Sequence, residues 1–209
     1  MRISELAERG GVAVATVKFY LREGLLPRGE ATSATRAEYG EEHLARLRLI
    51  AALTQVRGLP LTRVRDVLAL IDAPLDDPIE TMGRAVGALP PYVEDDGDHA
   101  RARATIKALG LTYEPEFAAV AQLESAIRAI EGAGLPWGDT EQRRYGHAMR
   151  TVAGEEIAPI SGMPPSEALS YAVRGTALYE PAILALRRLA HHHLLVTGAG
   201  PQGSQAVRS

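Results

Sequence analysis

Two adjacent glycines, Gly10 and Gly11, stand between two short segments that are each apolar on one face. Paired glycines carry a high ordering cost and take the positive backbone angles of a tight turn, so they end any helix that reaches them. Before the break, Ile3, Leu6 and Ala7 recur at helical spacing, with Ser4 placed to cap the first turn. After it, Val14, Val17 and Leu21 recur at three and four residues and give a second helix one buried stripe against the first. Gly24-Leu25-Leu26-Pro27 ends that helix. Two short helices around a glycine turn make a helix-turn-helix.

The segment from Arg28 to Tyr39 is polar, rich in Thr and Ala, and reads as a two-stranded wing. Glu41 and Glu42 follow where a helix N-terminus attracts negative charge, and Leu44, Leu47, Ile50 and Leu53 share one face of that helix. Gly58-Leu59-Pro60 punctuates, and Val64, Val67, Leu68 and Ile71 carry a fourth helix. Past Asp72 the texture changes. Pro74, Pro78, Pro90 and Pro91 confine Ile79 to Leu89 to a helix of about 16 Å at 1.5 Å per residue. The acidic run Glu94-Asp95-Asp96-Gly97-Asp98 is placed to cap a following helix, and helices are expected over 98–109, 115–132, 139–153 and 165–193. No alternating strand pattern follows the wing.

The fold class is therefore mainly all-α: an N-terminal winged helix-turn-helix with a short β-wing, then a C-terminal α-helical bundle. The division predicted is 1–72 for the winged helix-turn-helix domain, 73–97 for a linker with a short helix, 98–197 for an α-helical domain, and 198–209 for a disordered tail. With no apolar run of membrane-spanning length and no secretory signal ahead of the first helix, the expected location is the cytoplasm, with no membrane partner.

Charge is divided along the chain. Residues 1–72 hold 11 Lys and Arg against 9 Asp and Glu, a net of +2, whereas residues 73–209 hold 12 against 17, a net of −5. A phosphate backbone is repelled by the acidic part, so a DNA surface belongs to the N-terminal part. A second helix lying in the major groove presents its first residues to bases and its flanks to phosphates, which nominates Ala15, Thr16, Lys18 and Arg22 by position. Arg28 and Arg36 are the cations of the wing.

Cysteine is absent, which removes disulfides, thiolate metal sites and thiol redox sensing together. His191, His192 and His193 are consecutive, and on a helix they point about 100° apart, so no metal site is predicted there. No phosphate-cradling glycine loop, nucleophile elbow or zincin motif occurs, so neither a catalytic residue nor a cofactor is implied. Seven of the ten aromatics fall after residue 90. Among them Trp137, Tyr145, Tyr171 and Tyr179 are nominated as walls of a small-molecule site, with Trp137 in a loop between Pro136 and Gly138 and Glu180 placed to meet a cation.

The motifs I-S-E-L-A, G-V-x-V-x-T-V-K-F-Y, E-G-L-L-P, the wing closing at Tyr39, E-E-H-L-x-R-L and G-L-P-L occur in one order. Through them, residues 1 to about 72 resemble the DNA-binding domain of the MerR family of bacterial transcription regulators. The resemblance implies phosphate contact by Tyr20, the second of a paired set of aromatics whose first member here is Phe19, a residue with no hydroxyl that is expected to pack inward. It departs at Ala15, where many members carry a base-reading arginine, and in the wing, where Thr35-Arg36-Ala37-Glu38-Tyr39 puts Arg36 in a tyrosine position. Members dimerise through a long coiled coil after the DNA-binding domain, and this chain is too interrupted there to build one. The resemblance further implies a homodimer on a near-palindromic promoter, with RNA polymerase engaged indirectly when an effector makes the dimer bend and untwist the DNA. Without cysteine, the effector expected is an organic molecule. Two other readings stay open: an architectural or antiactivator protein whose helical half binds another protein, and an enzyme fused to a DNA-binding module, which a buried cluster of titratable groups would favour.

Overall fold

The structure is a computed structural model describing residues 1–33 and 36–198. Ala34 and Thr35, between the two strands of the wing, and the tail from 199 onward lie outside the described residues, and with them most of the segment expected to be disordered. Among the described residues there are two strands and a predominance of helix, as the sequence reading expects.

Helices α1 (Ile3–Arg9) and α2 (Val14–Arg22) flank the glycine turn, where Gly11 takes φ +68°. Ser4 does not cap: α1 begins a residue earlier, after Arg2, and no side chain bonds to its first turn. Strands β1 (Glu30–Ser33) and β2 (Arg36–Glu38) pair antiparallel, with Glu30 opposite Glu38. Gly29 makes this wing possible at its base. A Cβ there would lie 2.3 Å from the Glu38 carbonyl oxygen and 3.0 Å from the Tyr39 ring, closer than any side chain tolerates.

Helix α3 (Glu41–Ala51) opens on its two glutamates, and α4 (Leu61–Asp72) follows a Pro60 start. Between them α3 widens into a π-helical stretch, Ala52–Val56, where the Thr54 hydroxyl donates to the carbonyls of Ile50 (2.8 Å) and Ala51 (3.1 Å). Such widened turns recur at functional positions in helices. Leu53 keeps its place in the core through this turn, fully buried with Leu44, Leu47 and Ile50.

Helix α5 (Pro78–Gly87) begins on Asp77, whose side chain accepts from Ile79 N–H at 2.8 Å, with Pro78 in the first helical position. Then come α6 (Ala100–Ala108), α7 (Ala118–Gly132), α8 (Asp139–Ile157), a 3-10 turn (Ala158–Ile160) and α9 (Pro165–Thr197). Pro181 lies inside α9 without ending it.

Packing does not stop at residue 72. The main core runs from Leu6 through Leu70 and continues into Ala85, Ala88 and Leu89 of the α5 region and Val173 and Ala177 of α9. Helix α5 is covered by α9 on one side and α7 on another, and α9 also lies on α4. A second, smaller cluster joins Ala102, Ile106 and Val120 with Tyr113, Phe117 and Leu123.

One ion pair, buried on its arginine side, ties α9 to the N-terminal part. Arg57, directly after the π-helical stretch, brings Nη2 to 2.6 Å from Glu180 Oε2, and its side chain is only 6% exposed. The approach is close but off the hydrogen-bonding direction, and Nε and Nη2 make no hydrogen bond. The cation expected to meet Glu180 is thus supplied by the chain itself.

Candidate nucleic-acid interface

Helix α2 is held by its apolar face: Val17 and Tyr20 are buried in the main core, and the Tyr20 carbonyl accepts from the N–H groups of Leu25 and Leu26. The opposite face carries Lys18, which is exposed. Helix α1 and the wing are joined at their ends, since the Met1 amino group donates to the Tyr39 carbonyl (2.8 Å) and Tyr39 N–H donates to the Met1 carbonyl (2.9 Å). Tyr39 itself closes the core, edge-on to His43 at 5.3 Å between ring centres.

This arrangement opens a cleft of about 440 Å³ between α1, α2 and the wing, with Arg2, Ile3, Lys18, Thr32, Arg36 and Glu38 among its lining. Three cations face one carboxylate, a local excess of two positive charges. The Thr32 hydroxyl donates to the Arg36 carbonyl at 3.4 Å and steadies the strand that carries Arg36. Lys18 and Arg36, nominated separately from the sequence, are therefore neighbours. Arg2 was missed. Its signal was only a basic residue ahead of α1, and its place beside the wing depends on the Met1–Tyr39 pairing.

Other cations of this region are used internally. Arg9 makes a two-pronged ion pair with Glu41 (2.7 and 3.0 Å), and Arg46 binds both oxygens of Asp72 and the Leu25 carbonyl (3.0 Å), fastening the end of α2 to the end of α4. Burial of Arg57 removes a third.

The remaining nominated residues lie around the cleft. Thr16 borders a second hollow of about 570 Å³, beside Ala15, Phe19 and Thr54. Arg22 is exposed, 3.5 Å from Glu23 and with its guanidinium 5.3 Å over the Phe19 ring. Arg28 is exposed at the base of the wing, where its carbonyl meets His43 Nε2 at 3.4 Å. Tyr20, expected at the phosphates, is 6% exposed in the core, and Phe19 is half-buried and packs against that core from its edge. The buried stripe of α2 runs through Val17 and three residues on to Tyr20, so the ring at position 20 backs the helix from behind.

In the helical half, the four nominated aromatics form two pairs. Trp137 stacks on Tyr145 at 5.8 Å and 18° between planes, and its Nε1–H donates to Thr105 Oγ1 at 3.1 Å. Tyr145 in turn meets Arg187 of α9 at 3.4 Å. Tyr171 and Tyr179 lie together on α9, where the Tyr179 hydroxyl, burial and the Glu156 carboxylate hold the Tyr171 hydroxyl above its usual range.

A buried titratable cluster, not visible in the sequence, fastens α6 to α7. Glu124 is 3% exposed and accepts from the N–H groups of Arg101 and Ala102 (2.9 Å each) and from the Arg101 guanidinium (3.0 Å). Burial acts to raise its carboxyl, but the Ala102 and Arg101 hydrogen bonds outweigh it and hold it below the usual range. The cap of α6 thus comes from Glu124 across the helix pair more than from the acidic run. Beside it, His99 Nε2 is 2.6 Å from Asp95, and its Nδ1 is 3.4 Å from the Tyr113 hydroxyl. Every member is engaged in holding backbone or its neighbour.

A glycine-turned helix pair, a wing and a basic cleft between them define a winged helix-turn-helix. Residues 1–71 match the model of the MerR HTH family of regulatory proteins. Residues 1–71 of the chain are thus a MerR-family helix-turn-helix domain, the DNA-binding part of a transcription regulator. The chain is 34% identical over 73 residues to a ZntR-homologue HTH-type transcriptional regulator of Haemophilus influenzae, covering 35% of this chain and 53% of that protein. It is 32% identical over 72 residues to a mercuric resistance operon regulatory protein of Serratia marcescens, covering 34% of this chain and 49% of that protein. The chain thus spans about half the length of the curated relatives it matches. Along nearly its whole length, 98% of this chain and 100% of the other, it is similar to SCO5550, a proposed transcriptional regulator of Streptomyces coelicolor A3(2) with a crystal structure, at 32% identity and a TM-score of 0.70. No helix among the described residues is long and apolar enough to cross a membrane.

Proposed function

We propose that this chain regulates transcription by binding promoter DNA as a homodimer, with α2 in the major groove and phosphates seated in the cleft of Arg2, Lys18 and Arg36. The convergence of those three cations between α2 and the wing carries the reading. Arg22, Arg28 and Thr16 extend the contact surface around it, and Tyr20 contributes by holding α2 in place. One short recognition helix per chain covers too few base pairs for useful specificity, so two copies read two half-sites. Selection of binding sequences from a random duplex pool tests this: a near-palindromic consensus is expected, and the absence of enrichment at every salt concentration rules it out.

The effector proposed is an organic molecule held in the helical half against the Trp137–Tyr145 pair. The names of the curated relatives place two of them in mercuric resistance. This chain has no cysteine to offer a soft metal. An effector shifts a regulator only by its difference in affinity for two conformations. Trp137 is the one tryptophan, so its emission reports ligands without labelling. A compound that alters both that emission and DNA binding is the expected finding. If divalent metals change DNA binding while compounds that bind the protein do not, the organic-effector reading fails.

A further inference from the structure

We propose that α8 and the outer half of α9 form an arm on which a second copy of this chain docks, arm against arm and antiparallel. The proposal rests on the reading of this chain as a two-fold DNA-binding regulator and names the surface that joins the two copies.

Helix α8 has 19 residues and none is buried. Beyond Pro181, α9 continues for some 25 Å at 1.5 Å per residue. Over that length every residue past Ile183 is exposed. What it exposes includes Leu184, Leu186 (65%), Leu189, Leu195 (84%) and Val196, interleaved with Arg187, Arg188 and three histidines. Exposed leucines at this density mark an interaction surface, and a helix without tertiary cover is marginal in water.

Leu184, Leu186, Leu189, Leu194, Leu195 and Val196, between 41% and 84% exposed, supply apolar anchors of the kind that a standard interface of ~800 Å² per partner covers. Charge favours a second copy of the same chain. From Leu184 to Gly198, α9 carries Arg187, Arg188 and three histidines and no acid, whereas α8 ends on Glu155 and Glu156 at the base of the arm. A two-fold axis between antiparallel arms lays the basic tip of each copy toward the acidic base of the other. The alternative place for a dimer contact, directly after the DNA-binding part, is occupied, because α5 is already covered by α7 and α9 of its own chain.

Sedimentation of the full chain without DNA, at micromolar concentration, tests the proposal. A dimer is expected, and the double change Leu186→Glu with Leu189→Glu should weaken it at least 100-fold while helical circular dichroism and thermal unfolding of the core persist. Ile79→Glu, at a side chain 70% exposed on α5, should leave the dimer unchanged. A wild-type monomer assigns the arm to some other partner and overturns the proposal, as does a double variant that dimerises like wild type. Should the double variant not fold, cross-linking decides. With no native cysteine, Leu189→Cys supplies a single thiol and a short bis-maleimide should join two copies, whereas Ile79→Cys should not; equal yields at both positions overturn it. Because no DNA is present, the two readings fail separately. A dimer that dissociates as expected yet binds no duplex sinks the DNA-binding reading alone, and one that binds DNA but ignores these changes sinks the arm alone.

Discussion

Of the largest fully buried side chains, all but Leu89 and Ile127 lie within the first 72 residues, whereas α8 near the other end has no buried residue at all. One chain thus holds a densely filled module and an almost uncovered helix pair, separated by the inner half of α9, which packs on both α4 and α5. The first region is finished as a single copy. The outer helices are built from the same apolar residue types but are covered by their own chain only in places, as where Tyr145 meets Trp137 and Arg187.

The comparison breaks most readily at a core leucine. Leu47→Ala removes a side chain with no exposure and should cost about 3–4 kcal/mol in urea unfolding. Leu186→Ala, measured below the dimer dissociation concentration, should stay within about 0.5 kcal/mol. Equal losses at both sites would show that the arm is covered within one chain.

A second test concerns the junction of α6 and α7. Glu124→Ala leaves the N–H groups of Arg101 and Ala102 without their acceptor and should cost about 3 kcal/mol, seen as faster hydrogen exchange in α6 and α7 while α1 to α4 stay protected. The same carboxyl predicts a pH dependence. Its folded value lies below the unfolded one, so its contribution is complete above the ordinary glutamate range and is lost as pH falls from there through the lowered value. Glu124→Gln should flatten that acid-side loss, and an unchanged acid profile would mean the carboxyl is not held as described.

The link between the two regions is Arg57 with Glu180. Glu180→Gln should cost about 1–2 kcal/mol by leaving a buried guanidinium short of its counter-charge, and pairing it with Arg57→Met should cost less than the sum of the two changes. Additive losses would show that the two side chains do not act on each other.

How much of this was legible in the sequence follows the same division. The glycine turn, the four-residue apolar spacings and the proline stops are local signals, and they located α1 to α4, the wing and each later helix to within a few residues. Lys18 and Arg36 were legible because each stands at a recognisable place in its own element. Arg2 was not, because only the backbone pairing of Met1 with Tyr39 brings it to the wing. Nor were Arg57 with Glu180 or Glu124 with Arg101, since each joins residues far apart in the chain, and a lone glutamate in a helical segment reads as solvated. The burial of Tyr20 was missed because its chemistry was weighed ahead of the helix phase set by Val17. The pairing of the four aromatics was likewise not legible: composition counts them, but only packing sorts them into pairs.

The central claim, that phosphates seat in the cleft between α2 and the wing, predicts the salt dependence of duplex binding. Each phosphate contact releases condensed counterions, so log K against log[salt] should fall steeply for wild type, and Lys18→Ala or Arg36→Ala should each reduce the slope by about one while weakening all sequences alike. Neither change should alter the unfolding midpoint, since both side chains are exposed. A slope unchanged in both variants, or a change of sequence preference in place of a change of slope, would contradict the claim.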